Sequence, residues 1–413
     1  MVTIHPFRAL RYDLAVVEDL SRVLAPPYDV IDAAQQEQLY QRSPYNIVRL
    51  ILGKQDPSDT PDHNRYTRAR RDFDAWCRSQ VLRRDERPCL YLIEHTFPQN
   101  GGTARRLGFL GLLDLQAAGQ GGVLRHETTL EAPKQDRTKL LEAVPANLSP
   151  IFCVVPDPGG RIEARLQREA ERGAPSAAAT VDREAVRVWL VDEASAIREI
   201  QRGLMSASVL IADGHHRFEV AYANRAQYGA VMTYFVSMAD PGLVVRPIHR
   251  LVGRQSRSGL EALQGICAVE PTEDLGALMR WLEADSQPPS KAGARFGYCA
   301  GRTLHRIALT DERLEGWLRA PSVPGPIAGL DVSILHSVLL PAQGVLGAEL
   351  SYTADPQEAL RAVEAGEQQA AWLLRGIPVA QVYAIASQGC ALPPKSTFFF
   401  PKVLSGLAFN PFQ

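Results

Sequence analysis

Asp213-Gly214-His215-His216-Arg217 places an acid, a flexible residue, two imidazoles and a guanidinium in five consecutive positions. The apolar run Val209–Ala212 before it predicts a strand, and His216–Tyr228 predicts a helix. A strand turning through glycine into a helix offers free backbone N–H groups backed by the helix dipole, which favours phosphate or another anion. Gly214 permits close backbone approach or a positive φ. Arg217 can fork onto phosphate oxygens, and His215 and His216 can donate or exchange a proton near neutral pH. Asp213 can hold Mg2+ or act as a general base. The plain alternative is that Asp213 caps the helix, Gly214 makes the turn and the histidines are polar surface. A transition metal on the adjacent histidines is a third reading, without any HxH or HExxH pattern behind it.

Three further stretches have the same mixed chemistry. His126, Glu127, Thr128, Lys134, Asp136 and Arg137 fall within twelve residues, at the start of a helical pattern over Lys134–Ala146. They could supply a carboxylate base and a lysine for phosphate, or be an ordinary solvated helix start. Pro26-Pro27 makes a rigid turn that fixes Tyr28 and Asp29, and Asp32 suits the N-cap of the next helix. Asn46 and Arg49 lie three apart on the strand-like run Asn46–Leu52, so at most one faces a given site. Near the end, Lys395-Ser396-Thr397 looks like the end of a phosphate loop, and Lys402 follows. The glycines of a Walker A motif are missing, and a hydrophobic tail carrying Phe398, Phe399, Phe400 and Phe409 is the alternative. Only six of the 45 basic residues are lysines, and four of those fall at 134, 139, 395 and 402.

The elements that must position these residues alternate along the chain. Strand-like runs occur at Leu90–His95, Leu107–Leu115, Ile151–Val155, Val186–Val191 and Tyr234–Met238, and helical patterns at Asp62–Leu82 and Asp192–Met205. This predicts an α/β or α+β fold, a mixed sheet core with flanking helices. Loop signals at Pro156–Gly160, Gly173–Thr180, Gln287–Ala294 and Ala320–Gly329, with a composition change near 250, suggest three regions: 1–156, 157–250 and 251–413. The 413 residues are 46% hydrophobic and 22% charged, with a net charge of −1. That balance lacks the basic footprint of a nucleic-acid coat. The six cysteines form no CxxC pair, which argues against a zinc ribbon or redox dithiol. No signal-peptide pattern and no apolar run of membrane-spanning length are present, so a cytoplasmic location is expected.

In order along the chain, "IHPF" (4–7), "APPYDVI" (25–31), "SPYNIVRL" (43–50), "HETT" with "PKQDR" (126–137), "ANLSPIF" (146–152), "ADGHHRFEVA" (212–221), "IHRLV" (248–252) and "PKSTFFFPK" (394–402) resemble domain-of-unknown-function family 1015 of bacteria and archaea. The turn alone, over about ten residues, is similar to the phosphate-gripping turns of the ParB/sulfiredoxin superfamily, which includes free-serine kinases. The cysteine that sulfiredoxins carry before their His-Arg pair is His215 here, and no helix-turn-helix or basic arm accompanies the turn. The kinase-like branch remains. That resemblance implies a nucleotide such as ATP or ADP with Mg2+, and phosphate transfer to a small polar metabolite, possibly a free amino acid such as serine. In that scheme Gly214, His215, His216 and Arg217 cradle phosphate, with Lys134, Arg137, Lys395 and Lys402 neutralising charge. Asp213, His216 and Glu127 carry the chemistry, with Asp213 on the metal. Tyr28, Asp29, Asn46, Arg49, Ser396 and Thr397 are candidate substrate contacts. A nucleotide-binding regulatory protein without turnover and a metal-dependent hydrolase using His126, Glu127, His215 and His216 are the alternatives.

Overall fold

The computed structural model describes residues 2–99, 101–115, 122–205, 208–253, 259–284, 294–309, 311–318, 325–345 and 347–412. Residues 287–293 of the loop signal at 287–294 and residues 320–324 of that at 320–329 lie outside the described residues. The chain forms two compact units, one from residues up to 244 together with those from 401 onward, the other from residues 245–400. Each is mixed α/β.

The first unit is built on nine strands: β1 (Ile4–His5), β2 (Leu90–Gln99), β3 (Gly102–Asp114), β4 (Val123–Leu124), β5 (Ile151–Val155), β6 (Ala177–Val181), β7 (Glu184–Val191), β8 (Val209–Asp213) and β9 (Ala230–Ser237). Their order is β4-β8-β5-β9-β3-β2-β7-β6, with β1 also on β3. The sheet is mixed: β5 and β9 run parallel, β8 and β5 antiparallel, and β4 parallel to β8. Its flanking helices are α1 (Arg65–Arg78), α2 (Glu131–Ala143), α3 (Arg161–Glu171), α4 (Ala194–Leu204) and α5 (His215–Ala223). All five residues of β5 and all five of β8 are buried. Their continuous apolar runs are what a strand covered on both faces requires. Ile162 and Leu166 of α3 and Ile197, Ile200 and Leu204 of α4 share one core with Leu92, Phe109 and Phe235 of the sheet. Residues from 401 onward close this unit: Ser405 bridges Ala25, Phe409 bridges Leu10, and Asn410 pairs with Asn147.

Three local expectations change. Residues 46–52 do not form a strand, because Val48–Ile51 is a single helical turn. Val48, Leu50 and Ile51 are all buried there, so the apolar run reflects burial on every side rather than a pleat. Residues 177–180 are not connector but part of β6, whose small residues pair antiparallel with β7. The helix expected over 216–228 breaks at Asn224, leaving α5 and a separate turn at Arg225–Tyr228. Asp32 does cap its helix, accepting the Gln35 N–H at 2.8 Å.

The second unit carries a six-stranded sheet in the order Cys267–Thr272, Thr303–Leu309, Arg295–Ala300, Ala370–Leu373, His249–Val252 and Leu350–Thr353, every neighbouring pair antiparallel. Leu278 and Leu282 of the helix Leu275–Glu283, with Ala359 and Val363 of Pro356–Glu364, pack on Leu251, Ala371 and Leu373. Among the described residues, no helix is long and apolar enough to cross a membrane.

Candidate anion-binding site

Residues 213–217 sit where β8 leaves the sheet. Between Ile211 and Asp213 the pairing with β5 slips by one residue, a bulge of the kind that re-aims a side chain. Gly214 follows at φ 90° and N-caps α5. A Cβ there would lie 3.0 Å from the Arg217 guanidinium, so both the backbone and the packing call for glycine. The helix therefore starts without a side-chain cap, and Asp213 is used elsewhere. Its Oδ2 accepts from Arg217 Nη2 at 2.5 Å, and its Oδ1 accepts from Lys402 Nζ. Arg217 Nη1 also donates to the Pro150 carbonyl, at the residue preceding β5. Burial opposes the charge on Asp213, but Lys402 and Arg217 outweigh it and hold the carboxyl down at about 2.

The short parallel strand β4, pairing Leu124 with Leu210, delivers His126 and Glu127 to the same place. The His126 and His215 rings meet edge to face with centroids 4.8 Å apart. His215 Nδ1 is 3.8 Å from a Glu127 carboxylate oxygen. Burial lowers His126 to about 4 and, helped by His126, pushes His215 well below the ordinary imidazole range. Both are therefore neutral at pH 7, and neutral imidazole is the form that accepts a proton. His215 Nε2 is buried without a hydrogen-bond partner. His216 is half-buried, and its Nε2 accepts the Leu130 N–H at 3.0 Å, which ties α5 to the residue preceding α2.

Helix α2 supplies the remaining cations. Lys134 Nζ lies 2.9 Å from Glu131 and 3.6 Å from Glu219 of α5. Arg137 donates to Asp136 and, at 2.9 Å, to the Ile51 carbonyl. The half-buried Tyr28 ring stands 3.8 Å from the Arg137 guanidinium, while Asp29 beside it is exposed. Burial raises the Tyr28 hydroxyl, and the charges acting on it include Arg137 and Arg217, so the 28–29 turn, α2 and α5 share one neighbourhood.

The other expected contacts are held locally. Asn46 is fully buried; its amide donates to the Arg22 and Leu24 carbonyls and its oxygen accepts the Val48 N–H. Arg49 donates to the Tyr40 carbonyl and stacks on the Tyr40 ring at 4.4 Å. Lys395, Ser396 and Thr397 belong to the second unit. Lys395 is exposed at φ 58°, Ser396 is buried with its hydroxyl donating to the Pro393 carbonyl, and Thr397 is buried.

Glu219 was not among the sequence candidates, although it accepts from Thr129 at 2.7 Å and faces Arg125 and Lys134. Its spacing of three from His216 and four from His215 on a helix was the available signal. Arg65 and Tyr66 of α1, which both bond Asp136, were also missed, as was the Pro150 carbonyl. Nothing in the local sequence of those three pointed here.

The sequence matches the family described as "Protein of unknown function (DUF1015)" over residues 4–333. The chain belongs to that family. No curated protein matches it. Among solved structures, a free serine kinase in complex with AMP aligns at 14% identity and a TM-score of 0.35, covering 70% of this chain and 85% of the other. A conserved hypothetical protein from Pyrococcus furiosus aligns at 15% identity and 0.33, covering 70% and 92%. SbnI with a C-terminal truncation, from Staphylococcus aureus, aligns at 12% and 0.34, covering 72% and 85%. Likeness at these TM-scores carries no functional argument, which must come from the DUF1015 chain's own side chains.

Proposed function

We propose that the 213–217 turn binds the phosphates of a nucleotide such as ATP or ADP, and that the protein transfers phosphate to the hydroxyl of a small polar metabolite, a free amino acid such as serine being the first candidate. The observation that supports it is the start of α5: an αL glycine, uncapped N–H groups, and two cations fixed by one buried aspartate. Phosphoryl transfer needs chiefly positioning and charge neutralisation, and this arrangement offers both.

In this reading the N–H groups at the start of α5 and Lys402 hold phosphate oxygens, with Lys134 neutralising charge at the helix side. Asp213 fixes Lys402 and Arg217 and, held at about 2, is a poor base. Glu127, with a carboxylate oxygen 3.8 Å from His215 Nδ1, is the better-placed proton acceptor for the substrate hydroxyl, since burial makes His215 a weak base as well. His216 holds the residues preceding α2 through Leu130.

The residues fit a nucleotide's phosphates but not a protein-held Mg2+. Both Asp213 oxygens already face cations, and among the described residues no three His, Cys, Asp or Glu side chains gather to hold an ion. No step is assigned to the metal, and the hydrolase alternative gains no support. Regulatory nucleotide binding without turnover is favoured by one fact, that the acid of the turn itself is locked between two cations.

The test is a thermal-shift series with ATP, ADP, CTP and GTP on the wild type and on Lys402→Ala and His216→Ala. Ligand at one hundred times its Kd should add about 2.7 kcal/mol. A nucleotide shift lost in Lys402→Ala supports the reading. No shift with any nucleotide removes it. Consumption of the bound nucleotide in a metabolite pool separates transfer from regulation.

A further inference from the structure

A small cavity of about 70 Å³ lies between α2 and α5 in the first unit. Leu140 and Leu141 line it from α2, Val220 and Ala221 from α5, and Arg137 and Arg217 contribute its charged lining. Its wall is otherwise mostly aliphatic, unlike the turn beside it.

Arg137 has capacity left for a ligand. Asp136 is shared by two guanidiniums, Arg137 through Nε at 2.8 Å and Arg65 through Nη2, and it also accepts from Tyr66 at 2.8 Å. Against the effect of burial, Arg137, Tyr66 and Arg65 keep Asp136 ionised. Two cations on one anion leave one positive charge unmatched, although Arg137 is only 9% exposed. The other acid beside Tyr28, Asp29, is exposed and makes no ion pair among the described residues. Of the five N–H groups of Arg137, one goes to Ile51 and two to Asp136. One remains on each terminal nitrogen, available to a carboxylate. Tyr28 covers the guanidinium face at 3.8 Å and holds its plane.

We propose that Arg137 and this cavity form a second subsite, for a carboxylate that carries a short aliphatic body. The carboxylate bonds Arg137, and the body lies against Leu141, Val220 and Ala221. Engineered cavities of about 150 Å³ accept benzene, so a space half that size suits a body of about three or four carbons. A serine side chain would leave the aliphatic wall unfilled. The reading of the turn as a phosphate site is needed only to call this occupant the phosphate acceptor; the binding stands without it. On that combined view the subsite replaces serine as first candidate with a hydroxy or amino acid that has a small branched aliphatic part.

The experiment is isothermal titration calorimetry on the full chain with acetate, 3-methylbutanoate and serine, and separately with ADP. Each buried methylene should strengthen binding about fourfold, so 3-methylbutanoate should bind at least tenfold tighter than acetate or serine. Ala221→Leu, or Leu141→Phe if the first variant does not fold, fills the cavity. Either should erase that preference while the response to ADP persists. Arg137→Gln should weaken every carboxylate at least tenfold. Absence of 3-methylbutanoate binding in the wild type, no preference over acetate, or a preference that survives the cavity-filling variant each overturns the proposal. Loss of the ADP response in the wild type overturns the phosphate reading instead and leaves the carboxylate result legible.

Discussion

Lys402 Nζ donates to Oδ1 of Asp213, 189 residues earlier in the chain. Because Arg217 takes the other oxygen, the buried carboxylate is a bracket that holds two cations at the start of α5. Replacing Lys402 by methionine leaves Asp213 half satisfied in a buried place. Breaking such a pair costs about 3 kcal/mol, and the variant should lose that much in urea denaturation, together with the phosphate binding proposed for the turn. A variant with wild-type stability and wild-type phosphate binding would show that the bracket is idle.

The same bracket sets an acid limit. The Asp213 pKa is depressed in the folded state, so its contribution is present above the ordinary aspartate value near 3.8 and is lost as the pH falls through about 2. Its worth is about 2 kcal/mol. Asp213→Asn should remove that acid-side dependence, as read from denaturation midpoints between pH 5 and 2 as the order-of-magnitude window for this titration.

Gly214→Ala adds a Cβ at φ 90°, 3.0 Å from the Arg217 guanidinium. Strain of this kind costs about 1–3 kcal/mol, and the displaced Arg217 should also loosen Asp213. Calorimetric melting and ADP titration measure the two effects together. An unchanged melting temperature would mean that the turn tolerates a side chain, and the constraint drawn from its geometry would fall.

Two buried clusters give the protein opposite pH responses. His126 is depressed to about 4 by burial, so its contribution is full above the ordinary histidine value near 6.5 and declines as the pH falls towards 4. The size is about 3 kcal/mol. His126→Asn should flatten that decline. In contrast, burial and then the neighbouring Asp240 carboxyl raise Glu163 to about 7. Its contribution is full below the ordinary glutamate value near 4.5 and is lost as the pH rises through 7.

Glu163→Gln tests the second limb. Glu163 stands on α3, and Asp240 accepts the Leu107 and Gly242 N–H groups at 2.7 Å. The variant keeps a neutral side chain at every pH, so its stability should fall less than that of the wild type between pH 5 and 8, a window set by the ordinary and raised glutamate values. A fall equal to that of the wild type would locate the titration elsewhere.

Legibility followed the physics of each segment. Ile151–Val155 was readable to the residue because a strand buried on both faces is apolar throughout and ends at proline. The 213–217 turn was readable because glycine between a strand and a helix has few other uses. Asn46–Leu52 was misread since a single buried helical turn shows the same unbroken apolar run as a strand. The small residues at 177–180 resemble a linker until the partner strand at 184–188 is known. Lys402 is a candidate by residue type and by its place at the end of the PKSTFFFPK stretch. Its partner could not be read, because no local pattern encodes a contact with Asp213 across most of two hundred positions.

The first unit draws on two separated lengths of chain, up to 244 and from 401 onward, and this sets an order of events during synthesis. When residue 244 leaves the ribosome, the residues of β8 and α5 have been made, but Lys402, one of the two cations on Asp213, has not. The whole of 245–400 must be translated before Lys402 arrives. Until then Asp213 has at most Arg217 of its two partners. The proposed phosphate site can therefore be completed only late in translation, and a chain stopped before residue 402 would lack one of the two cations on Asp213.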